Sequence, residues 1–167
     1  MKKRGWTVIE LVMVIVIVAI LVVVSLPKAD SIHYIKLQAA AKRALSDIRY
    51  AQQLSIARHT TCRMVFSTAN DTYKVECLEP DGATYDYATD PFTRADLLIN
   101  FTSDPEHAGV DISGTTLSSG TVQFDWKGVP LASDGTELTS QQSVTLTYKG
   151  LTRVIYITPS TGRVRLE

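Results

Sequence analysis

Three small groups of residues have types and spacings that could do chemistry. Glu10 stands inside an apolar run, Trp6 to Leu26, broken only by Thr7, Glu10 and Ser25. A carboxylate in such a run is costly in hydrocarbon and is tolerated where it faces protein or an opposite charge, which points to a pairing role. Cys62 and Cys77 could form a disulfide or a reactive thiol pair. No activating His or Lys motif accompanies them, which favours the disulfide. The third group is the tail, Gly162-Arg163-Val164-Arg165. On a strand, Arg163 and Arg165 share one face and Val164 points inward. With Lys149 and Arg153 on the preceding hairpin, such a patch could contact phosphates without reading sequence. The same charges also suit an edge strand that must avoid aggregation.

No catalytic arrangement emerges elsewhere. His33, His59 and His107 are far apart and lack a ligand or paired-carboxylate context. There is no phosphate-binding Gly-rich loop and no Gly-x-Ser-x-Gly. The acidic stretch with Glu79, Asp81, Asp86 and Asp90 lacks the spacing of an EF-hand and reads as a solvated loop. The expectation is a protein that is not an enzyme, with no metal, no cofactor and no small-molecule substrate.

The elements that position these groups begin with a membrane-length segment. As a helix, Trp6 to Leu26 would rise roughly 31 Å, enough to cross a hydrocarbon core. Val and Ile dominate it, and in lipid the need to satisfy every backbone polar group forces them into a helix. Lys2, Lys3 and Arg4 place the N-terminus in the cytoplasm and everything after Lys28 on the far side. Ser25-Leu26-Pro27-Lys28-Ala29-Asp30 offers no convincing small-residue cleavage site, so a secretory signal fits poorly. A plain anchor needs neither Gly5 nor Glu10.

Lys2-Lys3-Arg4-Gly5, then an aromatic residue, Thr7, two aliphatic residues, Glu10 and an apolar run, resembles the class III leader of type IV pilins and type II secretion pseudopilins. The resemblance implies cleavage after Gly5 by a prepilin peptidase and N-methylation of the new N-terminal residue, Trp6. Most members of that group have Phe there, so Trp6 is a departure. The resemblance also gives Glu10 an assembly role. In a filament of packed apolar helices, the amino group of one subunit needs a counter-charge, and Glu10 of a neighbour can supply it. Pro27 is similar in position to a proline that kinks the helix in many type IV pilins; it equally suits the end of a membrane helix. Loss of Lys2, Lys3 and Arg4 leaves 14 basic residues against 17 acidic ones, a net of −3, which argues against coating nucleic acid by bulk charge.

Beyond the membrane, Leu37, Ala41, Ala44, Leu45, Ile48, Ala51 and Leu54 recur at helical spacing, predicting an amphipathic helix over residues 28–60. After Thr60 the pattern turns to period two. Arg63 to Phe66 and Tyr73 to Glu76 predict a hairpin around Ala69-Asn70-Asp71. A two-residue loop at Ala69-Asn70 would set Cys62 opposite Cys77; a turn centred one residue later would break that register. Glu79 to Pro91 reads as loop. Strands are expected at Leu97 to Phe101, Val110 to Ile112, Thr121 to Trp126, Ser143 to Tyr148 and Arg153 to Thr158, the last two joined through Lys149-Gly150.

The C-terminal pattern, Val122 to Gly128 and then Val154 to Ile157 and Thr161 to Val164, is similar to that of the GspH/FimT family of minor pilins. The resemblance implies an α+β fold, a long N-terminal helix on a mostly antiparallel β-sheet domain. The divisions are a leader at 1–5, a transmembrane and polymerisation helix at 6–27, the amphipathic helix at 28–60 and an exported β-rich domain at 61–167. It implies a single-pass protein of the bacterial inner membrane, with its C-terminal domain periplasmic, that enters or primes a pilus or pseudopilus with other pilins. Two more specific roles stay open. One is DNA uptake in natural transformation, since the Gly-Arg-x-Arg tail resembles that of FimT-like proteins and would place DNA at Arg163, Arg165, Lys149 and Arg153. The other is a type II secretion pseudopilin that contacts cargo.

Overall fold

The computed structural model describes residues 7–25 and 29–167. Gly5 and Trp6, which carry the expected cleavage and methylation, and Pro27, which carries the expected kink, lie outside the described residues, as do Lys2, Lys3 and Arg4. The chain divides into two compact units, Met1–Ile32 and His33–Glu167.

In the first unit, α1 spans Val8–Ser25. Thr7 begins it: the Glu10 N–H donates to the Thr7 carbonyl at 3.1 Å and lies 3.4 Å from Thr7 Oγ1. Its large apolar side chains from Val8 to Val22 are 43% to 80% exposed. Among the described residues, no helix is long and apolar enough to cross a membrane. The 18 residues of α1 rise about 27 Å, against a hydrocarbon core of about 30 Å.

Helix α2 covers Ala29–Arg58. It stops short of residue 60 because His59 adopts φ 51°. The Thr60 N–H then reaches the Ser55 carbonyl at 3.2 Å and the His59 N–H reaches that of Ile56 at 3.4 Å. That pair of bonds is a Schellman cap, built here without glycine. From His33 onward the helix lies on the sheets. Leu37, Ala40, Ala41, Ala44, Ile48 and Ala51 are at most 1% exposed. Four alanines in that stripe let the helix backbone approach closely while the sheets supply the larger side chains.

Ten strands follow: β1 Cys62–Ser67, β2 Thr72–Leu78, β3 Tyr85–Tyr87, β4 Leu98–Asn100, β5 Asp111–Thr115, β6 Thr121–Phe124, β7 Pro130–Leu131, β8 Gln142–Tyr148, β9 Leu151–Ile157 and β10 Val164–Leu166. One sheet runs β3-β2-β1-β6-β7, with β4 also paired to β2; the other runs β10-β9-β8-β5. Every strand pair is antiparallel. The inner faces of both sheets and the buried stripe of α2 form one core, with Met64, Tyr73, Val75, Phe124, Leu146 and Ile155 fully buried. This is the α+β, pilin-like arrangement expected.

Some boundaries differ from expectation. β3 lies inside the stretch read as loop, because Tyr85 to Tyr87 pairs with Leu78 to Glu76 along the free edge of β2. β6 ends at Phe124 rather than Trp126. The Asp125 carboxylate accepts from the N–H groups of Lys127 and Val129 at 2.9 and 2.8 Å, turning the chain there. The β8–β9 turn falls at Lys149-Gly150 as the pattern suggested, with both φ angles positive, 49° and 81°. That conformation matches the twist of a two-residue hairpin.

Candidate functional site

The C-terminal strand is locked by its register. Val164 lies opposite Ile157, Arg165 opposite Tyr156 and Leu166 opposite Ile155. Val164 is therefore buried, and Arg163 and Arg165 are exposed on either side of it. Before the strand, Gly162 is buried with φ 62°. Gln52 of α2 holds this turn by donating to the carbonyls of Gly128 at 2.8 Å and Thr161 at 3.1 Å. Arg49 reaches across from the helix and donates to the Val164 carbonyl at 2.9 Å.

Between α2 and β10 this leaves a groove of about 690 Å³. Five cations line it: Lys42 and Arg49 from α2, Arg153 from β9, and Arg163 and Arg165 from the tail. Its one acidic lining residue, Glu167, lies 3.4 Å from Arg165 Nη2. Leu45, Val164 and Leu166 supply apolar lining. Two of the arginines are oriented by neighbours. Arg153 donates from Nε to Gln38 Oε1 at 2.9 Å and lies over the Tyr34 ring at 4.8 Å. Arg165 lies over the Tyr156 ring at 5.4 Å. Like charges held this close raise the local potential and attract anions.

Of the tail-patch residues expected from sequence, Arg153, Arg163 and Arg165 come together here. Lys149 does not; it occupies the tip of the β8–β9 turn. Lys42 and Arg49 were missed. Their seven-residue spacing puts them on one helix face, but only the register of α2 over β10 reveals that this face meets the tail.

The other shoulder of α2 carries a second polar cluster. Arg43 Nη2 pairs with Asp90 Oδ2 at 3.2 Å, and Tyr50 donates to the Thr89 carbonyl at 3.0 Å. Beneath them, Tyr73 donates to Asp47 Oδ2 at 2.7 Å. Burial raises the Asp47 pKa, and nearby Asp90 adds to the rise; the Tyr73 bond and Arg43 oppose it. Asp90 is itself only 4% exposed. Its Oδ1 accepts from the Phe92 N–H at 2.7 Å, fixing the tip of the segment between β3 and β4. Phe92 is 91% exposed, more than any other large hydrophobic residue described.

The remaining residues have structural partners. Cys62 and Cys77 face each other in the β1–β2 register and form a disulfide with Cα atoms 4.0 Å apart. His33 stacks edge-on against Tyr148, His59 lies beside Trp126, and His107 Nδ1 lies 2.8 Å from Asp104 Oδ2. Among the described residues, no group of three or more His, Cys, Asp and Glu is placed to hold a metal ion. Glu10 occupies the third position of α1, where its N–H meets the Thr7 hydroxyl. Thr7-x-x-Glu10 is the pattern of a helix capping box. A carboxylate there also complements the helix dipole.

The chain is similar in structure to the minor pseudopilin EpsH from the Type 2 Secretion System of Vibrio cholerae. The TM-score is 0.58 at 10% identity, over 79% of this chain and 96% of that one. A crystal structure of the type IV minor pilin FimU of Pseudomonas aeruginosa aligns with TM-score 0.49 at 16% identity, over 78% of this chain and 87% of that one. No family model matches the sequence, and no curated protein matches it. The likeness to EpsH is one of fold.

Proposed function

We propose that this chain is a minor pilin or pseudopilin, inserted in the inner membrane by its N-terminal helix and incorporated into, or priming, a type IV pilus-like filament. The observation that carries this reading is α1, whose large apolar side chains from Val8 to Val22 are 43% to 80% exposed with Glu10 in the first turn. A surface of that kind calls for lipid or a bundle of like helices. The pilin-like fold of the second unit supports it. Gly5 is the leader cleavage site, Trp6 the methylated terminus, and Glu10 the counter-charge for a neighbour's amino group. The partners are other pilins, the prepilin peptidase and the inner membrane. The test is expression of the full chain with a pilus or secretion machinery, followed by intact-mass analysis of purified filaments. The reading expects a chain that starts at N-methylated Trp6 within the filament, and incorporation that is lost in Glu10→Ala. Absence from filaments, or an uncut leader in them, would overturn it.

The groove favours a second reading, a minor pilin that also contacts DNA during uptake. Five cations around one acidic residue suit a phosphate backbone, with no sequence readout. Duplex DNA should then shift in mobility with the protein, the shift should weaken with salt, and Arg163→Ala with Arg165→Ala should abolish it. The pseudopilin reading instead expects secreted cargo, not DNA, to be retained by the exported domain.

A further inference from the structure

We propose that the basic groove receives the Phe92 loop of a second copy of this chain, side by side with the first. The inference deepens the filament reading, on which it rests, by naming a lateral contact between globular domains.

The loop has the form of a preorganised anchor. Phe92 stands 91% exposed, yet its backbone is held from both sides. The Asp90 carboxylate accepts from the N–H groups of Phe92 and Thr93, and the Arg94 N–H donates to the Asp90 carbonyl at 3.0 Å. The Asp90 N–H donates to the Ala95 carbonyl at 2.8 Å, closing the base. Arg43 ties the same carboxylate to α2. Ordering such a loop at an interface costs little, because the ordering is already present. Exposed aromatic side chains on rigid supports are the usual anchors of protein interfaces. The segment that carries Phe92 has net negative charge, with Asp86 and Asp96 exposed on it and Arg94 its one cation.

The groove has the complementary chemistry. Half-buried Leu45 and Leu166 offer an apolar surface, and cations surround it. A bare phosphate backbone has use for the cations but none for the apolar surface; an aromatic side chain on a segment of net negative charge uses both.

The two features also sit where neighbours would bring them together. At about 100° per residue, positions 42, 45 and 49 lie roughly 110° to one side of the buried stripe of α2, and 43, 47 and 50 lie as far to the other. The groove therefore occupies one shoulder of the helix and the Phe92 loop the opposite shoulder. Copies with parallel helices, placed side by side, set the loop of one against the groove of the next. Such a contact is heterologous, and repeating it generates an open row or helix rather than a closed dimer.

The test is photo-crosslinking of the full chain in detergent micelles, with Phe92→benzoylphenylalanine and an equal mixture of ¹⁵N-labelled and unlabelled protein. The expected result is mixed-isotope links from position 92 to peptides that contain Leu45 or Val164 to Leu166. Arg163→Glu with Arg165→Glu should lower their yield about tenfold, because like charges then face each other across the contact. Adding Asp86→Lys with Asp96→Lys to that variant should recover most of it, a rescue that simple misfolding would not allow. In the otherwise native chain, Phe92→Ala should weaken self-association and leave the thermal midpoint unchanged. Links confined to one isotope, links to other surfaces, or yields indifferent to the charge reversal would overturn the inference. So would duplex DNA that occupies the groove without lowering the yield. A chain found in filaments but lacking this link overturns the inference alone; a chain that makes the link but never enters filaments overturns the filament reading.

Discussion

Tyr73 donates a 2.7 Å hydrogen bond to Asp47 Oδ2, joining the start of β2 to the middle of α2 at a point where the tyrosine is fully buried. Burial holds the Asp47 pKa above its ordinary 3.8, and the Tyr73 bond works against that rise. Tyr73→Phe should therefore push the Asp47 pKa further up. At neutral pH it should cost about 1–3 kcal/mol, the usual loss when a buried polar group forfeits a partner. A raised carboxylate pKa adds stability below the unfolded value and withdraws it as pH rises through the folded value. The penalty of Tyr73→Phe should thus be larger at pH 7 than near pH 4. Urea denaturation of the His33–Glu167 fragment at both pH values measures it. Equal penalties would show that Asp47 does not depend on this bond.

The Cys62–Cys77 bridge closes a loop with a sequence separation of 15. In the chain-entropy account, a loop of that length is worth about 3 kcal/mol, gained by restricting the unfolded chain. Cys62→Ser with Cys77→Ser should lower stability by about 2–3 kcal/mol and leave the sheet in register, since β1 is also held by β6. Urea midpoints with and without reductant check this. A midpoint insensitive to reductant in the native chain would mean that the bridge carries none of the stability.

What could be read from the sequence depended on range. The Cys62–Cys77 register was one of two that a short turn and counting allowed, because strand pairing across a hairpin is local. The Lys149-Gly150 turn and the helical stripe from Leu37 to Ala51 were legible for the same reason. The groove was legible only by half. Arg153, Arg163 and Arg165 belong to one hairpin and its neighbouring strand, so proximity could be guessed. Lys42 and Arg49 arrive from more than a hundred residues away, through the packing of α2 across β10. No local pattern carries that information. β3 was hidden for a related reason: Tyr85-Asp86-Tyr87 is too short and polar to read as a strand, and it exists because the edge of β2 was open.

Asp81 offers a pH test at the surface. Its carboxylate accepts from the N–H groups of Ala83 and Thr84 at 3.0 and 2.9 Å and from the Thr84 hydroxyl. Those bonds lower its pKa from 3.8 to about 2. A lowered carboxylate pKa gives stability that is complete above the unfolded value and is lost as pH falls through the folded one. The turn should therefore stay closed at pH 4 and open toward pH 2. Chemical shifts of the Ala83 and Thr84 amides, followed through an acid titration, should move together with a midpoint near 2. A midpoint at the ordinary carboxylate value would remove Asp81 as the cause of the turn.

Gly162 separates the shape of the groove from its charge. Its φ of 62° disfavours any side chain, and an added Cβ would lie 3.1 Å from the Phe124 ring and 3.2 Å from the Gly128 carbonyl. It would also press on Gln52 Nε2, the atom that holds the Gly128 and Thr161 carbonyls. Gly162→Ala should cost more than about 1 kcal/mol, because the native backbone is incompatible with alanine there. It should also displace Arg163 and Arg165 without removing a charge. If the groove acts as an organised site, Gly162→Ala should weaken its binding nearly as much as Arg163→Ala does, while Lys149→Ala, at the distant hairpin tip, should leave it intact. If bulk charge alone attracts the ligand, the order reverses: Lys149→Ala weakens binding and Gly162→Ala does not. Titration of the three variants against one ligand at fixed ionic strength distinguishes the two, because an electrostatic cloud counts charges whereas a groove depends on where the backbone holds them.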